Sequence, residues 1–435
     1  MGTLSVVAVI IVAGIVLALG SCNGDDEDVA DEPTPTEGVA EDADDATEPD
    51  TADDAVAVED DDAAEPDDPA PADDPATDDD EREATHLPTG EPQRAQSGDV
   101  AYGFNIAWRA DEGAEEFNQQ TREVVDTAGF NWVRFQIRWS DIERQPEQWD
   151  PLPIDQMVDV YDGTDIRVLI SIVGAPDWAL DPSGEQFLAD FENFVRVMAF
   201  LADRYEGRVD AWQIWNEPNL AHEMNGTVRV SDYAYLLEAG YRGVKAGDPE
   251  ALVVFGGLTP TGVNDPEVAI SDVEYLERFY LYGDGYYAQF FDIMGIHLNA
   301  TNNPPDTMWP DNPGPGEWTE DSSFYFLRGQ EQRAVMNRYG DDRPAWVTEF
   351  GWTTENQAPG YEYGADVSEE DQANYLVNAF NVAETEMPWI TGFFVWNLNF
   401  STLVPPEDEK YAWSVLYEDW SPRPAYTALQ EMAKQ

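Results

Sequence analysis

A repeat of short apolar runs and amphipathic stretches begins near residue 100, and it constrains the fold more than any other feature of this sequence. The apolar runs have the length and the β-branched and aromatic content of strands, and they lie at 101–108, 132–137, 166–172, 209–215, 252–255, 291–297, 345–349 and 390–396. Most are nearly continuous in hydrophobicity, as expected for parallel strands that are buried on both faces. The sequence therefore predicts eight parallel strands.

Helical patterns separate these runs. The clearest lie at 115–128, 184–205, 231–246, 267–282, 324–339 and 368–386, and another at 424–433 closes the repeat. We expect side-chain caps at Ser231 and at Ser368, the second with Asp371 three residues later. Eight strand–helix units in about 340 residues predict an α/β fold, the (β/α)8 TIM barrel with inserted loops. A doubly wound open sheet is the alternative, but the glycine-rich phosphate turn typical of that fold does not follow Trp108.

An apolar segment opens the sequence. Residues 4–19 contain no charged side chain, and the run is too short to span a membrane comfortably. It resembles the apolar part of a secretory signal, and the following Gly20-Ser21-Cys22 resembles a bacterial lipobox. We predict a lipoprotein signal peptide at 1–22 with lipid attached to Cys22, which places the protein on the extracellular face of the cell membrane or in the medium. Because no Lys or Arg precedes the apolar run, an uncleaved short anchor and a plain secretory signal remain alternatives.

Residues 23–96 consist largely of Asp, Glu, Ala, Pro and Thr, with almost no large apolar side chain. Such a segment buries too little surface to offset the entropy of ordering, and its like charges extend it. We therefore predict a disordered acidic linker between the membrane and a folded domain at 97–435. An acidic calcium-binding tail is the alternative, but the segment shows no defined ligand spacing.

The charge and the cysteine count exclude several function classes. The formal net charge is −67, and residues 85–435 contribute −39 of it from 60 acidic and 21 basic side chains. This excludes a nucleic-acid binder held by phosphate contacts, and it predicts a domain that salt stabilises by screening. One cysteine excludes an internal disulfide and a Cys-based zinc site, and three His leave little for a His-based centre. We expect no metal and no cofactor.

In a barrel of this kind, the active site is built at the carboxyl ends of the strands. The fourth predicted strand ends in WNEP at 215–218, and the seventh ends in TEFG at 348–351. Glu217 and Glu349 are thus predicted on one rim. Hydrolysis of a glycosidic bond requires two opposed carboxyl groups, because one protonates the leaving oxygen while the other attacks or activates water at the anomeric carbon. The sequence therefore predicts glycosidic bond chemistry.

Other polar and aromatic residues fall beside these two glutamates. Arg134 can keep a nucleophilic carboxylate ionised, Asn216 can bond a sugar hydroxyl, and His297 and Trp396 can shape the pocket floor. Structural alternatives exist for all of them: a rim glutamate can cap a helix, a buried Arg is normally paired, and an interior His or Trp can serve packing alone. Three further glutamates are expected to be solvated, namely Glu143, Glu206 and Glu223.

Together the two motifs resemble glycoside hydrolase clan A, and WNEPN at 215–219 is most similar to families 39 and 5. The resemblance covers about 100–430 and includes WVRF at 132–135, GAPDW at 174–178 and FDIMGIH at 291–297. It implies a retaining mechanism with Glu217 as acid/base and Glu349 as nucleophile. It also implies substrate-binding roles for Arg134, Asn216, His297 and Trp396.

The sequence departs from the clan at one position. Many members carry a Tyr two residues after the sixth-strand His, whereas this sequence has Asn299 there, so known substrate contacts do not transfer. We assign Asn299 to substrate binding together with Trp178 and Trp352, since sugar rings pack on flat aromatic side chains. Other tryptophans at strand ends are further candidates, namely Trp108, Trp139, Trp309, Trp318 and Trp413, whereas Trp212 and Trp215 are expected in the core or wall. The long segment 299–323 is predicted to form a lid over one side of the cleft.

The sequence as a whole predicts a surface-anchored, monomeric, retaining glycoside hydrolase that acts on a β-linked polysaccharide, oligosaccharide or glycoside. A catalytically inactive carbohydrate-binding lipoprotein and a transglycosylase with the same residues are the alternatives. The sugar, its linkage and the choice between exo and endo action stay open.

Overall fold

The computed structural model of the protein describes Leu87 and residues 100–434. The predicted signal peptide with Cys22 and nearly all of the acidic linker lie outside this part of the chain, so lipidation, the tether and the domain boundaries stay predictions. Within the described part, no helix has the length and apolar character needed to cross a membrane.

Eight strands form one parallel barrel. They are β1 (Ala101–Asn105), β2 (Trp132–Arg138), β3 (Arg167–Val173), β4 (Ala211–Ile214), β5 (Leu252–Val254), β6 (Met294–His297), β7 (Ala345–Phe350) and β8 (Ile390–Val395). The hydrogen-bonded order is β6-β7-β8-β1-β2-β3-β4-β5, and every neighbouring pair is parallel. Parallel bridges from Val254 to Ile293 and from Leu258 to Ile296 join β5 to β6. The predicted (β/α)8 fold is confirmed.

Each strand is followed by a helix. The eight helices are α1 (Ala114–Ala128), α2 (Leu152–Val158), α3 (Glu192–Arg204), α4 (Val230–Gly247), α5 (Asp272–Leu281), α6 (Gly329–Arg338), α7 (Glu369–Glu386) and α8 (Pro424–Glu431). A helical turn at Trp139–Ile142 and two small hairpins, Glu143–Gln145 with Gln148–Trp149 and Asn264–Asp265 with Ala269–Ile270, lie in the loops.

The helix starts are where the sequence predictions and the structure differ most. Helix α3 begins at Glu192 rather than at 184, because Leu180 and Leu188 pair as a β-bridge before it. The predicted cap at Ser231 is wrong, since α4 is entered from Arg229 with no side-chain cap. The cap at Ser368 is confirmed: its hydroxyl accepts from the Asp371 amide, and Asp371 completes the capping box.

An apolar layer occupies part of the barrel interior. It takes one residue from each strand or its flank: Ala101, Trp132, Leu169, Ala211, Val254, Ile293, Trp346 and Phe394. The Trp132 and Trp346 rings meet edge to face with centroids 4.9 Å apart. Gly103 leaves room for Phe394, because a Cβ there would lie 2.3 Å from the ring. On β2 and β4, the layer residue precedes an inward polar residue by two positions, so the two share one face of the strand.

Candidate active site

Glu217 stands just beyond β4 on a strained turn. Trp215 and Glu217 both have left-handed backbone angles, with φ of 69° and 45°. Such conformations cost about 1–3 kcal/mol each in non-glycine residues and persist only when neighbours hold them. The Trp215 indole donates to the Glu223 carbonyl at 3.0 Å, and the Glu217 amide donates to the Gly257 carbonyl at 3.0 Å. The turn is therefore fixed on both sides of the Glu217 side chain.

Glu349 lies inside β7 and is held by Arg134 from β2. The Arg134 guanidinium is fully buried and donates to Glu349 Oε1 at 2.8 Å, to Gln213 Oε1 at 2.7 Å and to Asn216 Oδ1 at 2.9 Å. It also donates to Asn105 Oδ1. A buried cation needs this many acceptors to offset its desolvation. Arg134 thus ties the ends of β1, β4 and β7 together beneath Glu349.

His297 at the end of β6 connects the two glutamates. Its Nδ1 lies 2.9 Å from Glu217 Oε1, and its Nε2 lies 3.7 Å from Glu349 Oε1. One carboxylate oxygen of each glutamate and one ring nitrogen all lie within 4.8 Å of one another. Gly257 makes room for the imidazole, because a Cβ at that position would lie 2.2 Å from the ring. The three side chains are fully buried.

The surroundings give the two carboxyl groups different pKa values. Burial raises the pKa of both Glu217 and Glu349. The charge and the hydrogen bond of Arg134 pull the pKa of Glu349 back down, whereas the charges of Glu349 and Glu223 push that of Glu217 further up. Burial and Arg134 lower the pKa of His297, which keeps the imidazole neutral at physiological pH. The site therefore pairs a proton donor, Glu217, with an ionised carboxylate, Glu349.

Two of the glutamates that were expected to be solvated are enclosed instead. Glu143 is buried and accepts from the Trp139 indole at 2.7 Å and from the Glu147 amide at 2.6 Å. Burial raises the pKa of Glu223 to about 8, and Glu349 adds to that shift. The prediction is therefore wrong for Glu143, and the side chain of Glu223 is only 17% exposed. Glu206 is exposed, as predicted.

The other predicted site residues are Asn299 and three tryptophans. Trp396 and Asn299 are buried, and Asn299 Oδ1 has no hydrogen-bond partner among the described residues. The peptide bond that joins Trp396 to Asn397 is cis. The Trp178 indole donates to the Glu143 carbonyl at 3.1 Å, and the fully buried Trp352 indole donates to the Asn303 carbonyl at 2.8 Å. Neither of these hydrogen bonds is to Glu217, His297 or Glu349. The contact of Trp178 and Trp352 with sugar therefore stays a prediction.

The long loop after β6 packs against the loop after β7. Asn303 donates to the Trp318 carbonyl at 2.6 Å, and Asn302 donates to Asp366 at 3.0 Å. The Trp318 ring meets Tyr363 with centroids 5.9 Å apart. Of the remaining tryptophans, Trp139, Trp212, Trp215 and Trp413 are buried, Trp108 and Trp318 are half-buried, and Trp309 is 38 % exposed. The lid role of 299–323 stays a prediction.

Sequence reasoning missed Asn105 and Gln213. Both are fully or almost fully buried, and both accept from Arg134. Asn105 also donates to the Thr348 carbonyl at 2.9 Å, next to Glu349. Each is a single polar residue in an otherwise apolar strand, and that is the signal that would have found them, because a buried polar group needs a partner.

The positions of Glu217, His297 and Glu349 are also compatible with a metal, because each offers one ligand atom. However, the nearby guanidinium already bonds the Glu349 oxygen and supplies a permanent positive charge. The arrangement is equally compatible with acid–base and nucleophilic carboxyl chemistry.

Residues 94–399 match the family described as Cellulase (glycosyl hydrolase family 5). No curated protein matches the sequence. Among solved structures, a family 39 glycoside hydrolase from Bacteroides cellulosilyticus WH2 superposes with a TM-score of 0.54 at 20% identity over 75% of this chain and 62% of that one. This chain therefore spans less than two thirds of that enzyme.

Two other solved structures have the same fold. A monomeric beta-xylosidase from Caulobacter crescentus CB15 gives a TM-score of 0.54 at 15% identity, over 78% of this chain and 68% of that one. Xylanase 10B from Thermotoga maritima gives a TM-score of 0.51 at 15% identity, over 76% of this chain and 94% of that one. At such low identity these likenesses concern the fold alone.

Proposed function

The chain belongs to the cellulase family, glycosyl hydrolase family 5, and on that premise we propose that it is a retaining glycoside hydrolase acting on a β-linked glycan or glycoside. The observation that carries the proposal is the enclosed trio of Glu217, His297 and Glu349. We further propose that the enzyme acts outside the cytoplasm, attached to the membrane through a lipid on Cys22.

The separation of the two carboxyl groups supports retention. Retaining enzymes place them about 5–5.5 Å apart, whereas inverting enzymes leave about 6.5–9.5 Å for a water molecule. An oxygen of Glu217 and an oxygen of Glu349 lie within 4.8 Å of each other. So short a separation favours attack by the carboxylate itself over attack by a water held between the carboxylate and the sugar.

The proposed reaction has two steps. In the first, Glu349 attacks the anomeric carbon and forms a glycosyl ester while Glu217 gives its proton to the departing glycosidic oxygen. In the second, Glu217 takes a proton from water, and the resulting hydroxide displaces Glu349 from the anomeric carbon. The raised pKa of Glu217 suits the first step, because the carboxyl must carry its proton at neutral pH. Loss of the Glu349 charge in the intermediate then lowers the pKa of Glu217 and converts it to a base.

A panel of aryl β-glycosides and β-linked oligosaccharides tests the proposal on the full chain. We expect turnover of at least one substrate, and ¹H NMR should show the first-formed product with the anomeric configuration of the substrate. Glu217→Ala should lose about 10²–10⁴-fold on substrates with poor leaving groups, less on activated aryl glycosides, and should regain rate with azide. An inverted first product, or no turnover across the panel, would contradict the proposal. Transfer to a second sugar instead of water would identify a transglycosylase.

A further inference from the structure

A third carboxyl group near the two glutamates has no role in the proposed reaction. Glu409 lies on the loop after β8, and only 15% of its side chain is exposed. Its Oε1 accepts no hydrogen bond from the residues that the structure describes, although Lys410 Nζ lies 3.1 Å away as a counter-charge. Buried carboxylate oxygens are rarely left without a donor, because desolvation is then uncompensated.

The backbone around Glu409 is fixed to the rim of the barrel. Its carbonyl accepts from the Asn356 side chain at 2.8 Å, and the carbonyl of Lys410 accepts from the Asn397 side chain at 3.0 Å. Asn356 belongs to the loop after β7, and Asn397 follows Trp396 at the end of β8. The backbone that carries Glu409 is therefore tied to the loop after β7 and to the end of β8.

The charge of Glu409 is coupled to those of the proposed reacting groups. Burial raises the pKa of Glu409 to about 7, and the charge of Glu349 contributes to that rise. Burial raises the pKa of the Tyr361 hydroxyl, and the charges of Glu409 and Glu217 add to that rise. Glu409 and Tyr361 are thus within electrostatic reach of the proposed nucleophile and the proposed acid.

Other buried polar atoms at this end of the barrel also lack partners among the described residues. They are Glu217 Oε2, Glu349 Oε2, Asn299 Oδ1, the Tyr363 hydroxyl and Trp413 Nε1. Trp413, Tyr363, Tyr361 and Trp396 pack in one buried cluster. The set mixes acceptors with donors, since an indole N–H only donates. Sugar hydroxyls, which both donate and accept, match such a set, whereas a cation would need acceptors alone.

We propose that Glu409 is a specificity-determining residue whose Oε1 accepts a hydrogen bond from one hydroxyl of the sugar ring that is bonded at Glu349. This inference rests on the proposed function. Lys410 partly offsets the effect of burial and so favours the charged form of the carboxyl group, and a hydrogen bond to a charged acceptor is stronger than one to a neutral acceptor. A sugar that lacks this hydroxyl leaves Glu409 Oε1 without a hydrogen-bond donor, so the site discriminates against it.

The test pairs enzyme variants with deoxy substrates. The full-chain protein, Glu409→Ala and Glu409→Gln are compared on 4-nitrophenyl β-glucoside and β-xyloside and on the 3-, 4- and, for the glucoside, 6-deoxy derivatives. We expect Glu409→Ala to lose roughly 10- to 100-fold in kcat/KM on the parent substrate. At one ring position the wild type should lose a similar factor with the deoxy sugar, while Glu409→Ala loses nothing further. Glu407→Ala, at an exposed position on the same loop, is the matched control and should behave as the wild type.

The outcomes separate the two proposals. Additive losses at every ring position in an active enzyme overturn the role of Glu409 and leave the proposed function intact. An equal loss in Glu407→Ala also overturns it, because the effect would then belong to the loop in general. If Glu409→Ala does not fold, the same cycle with Glu409→Gln decides, since the amide preserves shape and removes charge. A wild-type protein that turns over no aryl glycoside overturns the proposed function and this inference with it.

Discussion

Two layers inside the barrel use the same strands for opposite purposes. Trp132 and Ala211 belong to the apolar layer, and two positions further along the same strands lie Arg134 and Gln213, which belong to the charged network. Because side chains alternate along a strand, both members of each pair point into the barrel. A step of two residues therefore separates a region that stabilises the fold from a region that can perform chemistry.

The two layers differ in how completely their side chains find packing or hydrogen-bond partners. The apolar layer is packed ring against ring, whereas Glu217, Glu349 and His297 each keep one buried polar atom without a partner among the described residues. The turn at Trp215 and Glu217 adds backbone strain. Unpaired buried groups and strain cost stability, so the charged network is held in place by the rest of the fold. We expect mutations in the two layers to have separable effects on activity and stability.

The largest expected effect is in the charged network. Glu349→Gln keeps the shape and one acceptor for Arg134 but removes the nucleophile, so kcat should fall by about 10⁴-fold or more. The melting temperature should change by only a few degrees. Aryl glycoside kinetics and calorimetry measure both, and Glu206→Gln, at an exposed position, is the control. Near-normal turnover by Glu349→Gln would contradict the assignment of catalysis to the charged network.

The next effect is in the apolar layer. Trp346→Ala should lower the free energy of unfolding by roughly 3–5 kcal/mol, because it leaves a cavity beside Trp132 and Phe394. The kcat of the folded fraction should stay within a few-fold of the wild type. Urea unfolding measures the loss, with Trp309→Ala at an exposed position as the control. A loss of kcat as large as that of Glu349→Gln would show that the layers are not separable.

A smaller effect concerns pH and Glu223, in the loop after β4. The pKa of Glu223 rises from 4.5 to about 8 on folding, so the folded state holds a proton that the unfolded state releases. The contribution of Glu223 to the free energy of unfolding is fully present below pH 4.5 and is lost as the pH rises toward 8. Glu223→Gln should therefore remove up to about 4 kcal/mol of the decline in unfolding free energy between pH 5 and pH 8. Parallel pH curves for the variant and the wild type would count against this, and Glu206→Gln should give such parallel curves.

The smallest effect lies outside both layers, on the acidic surface. Residues 85–435 carry a net charge of −39, and screening shortens from about 10 Å at 0.1 M to about 3 Å at 1 M salt. The melting temperature should rise by several degrees between 0.1 and 2 M NaCl. Sucrose at equal osmolality stabilises burial without screening charge and is the control. A flat or falling melting temperature in NaCl would contradict this prediction.

The sequence predictions succeeded where a feature depends on residues close together in the chain and failed where it depends on residues far apart in the chain. All eight strands and the Ser368 capping box were found, because hydrophobic runs and caps depend on neighbours in the chain. The start of α3 was misplaced since a bridge between Leu180 and Leu188 competes with the helix. The enclosure of Glu143 and Glu223 was missed because nothing local distinguishes them from the exposed Glu206.

The sequence by itself determined the barrel and the two rim positions that bear Glu217 and Glu349, because strand periodicity and motif order are local properties. Only the tertiary structure decided that these carboxyl groups meet across His297 and that Arg134 is held by Asn105, Gln213 and Asn216. Those contacts join residues as far as 215 positions apart in the chain, Arg134 and Glu349, and closure of the barrel brings them together. Strands β6 and β7 likewise place His297 opposite Glu349 in register. Burial then sets the acidity of each carboxyl group, and burial is a property of the folded chain alone.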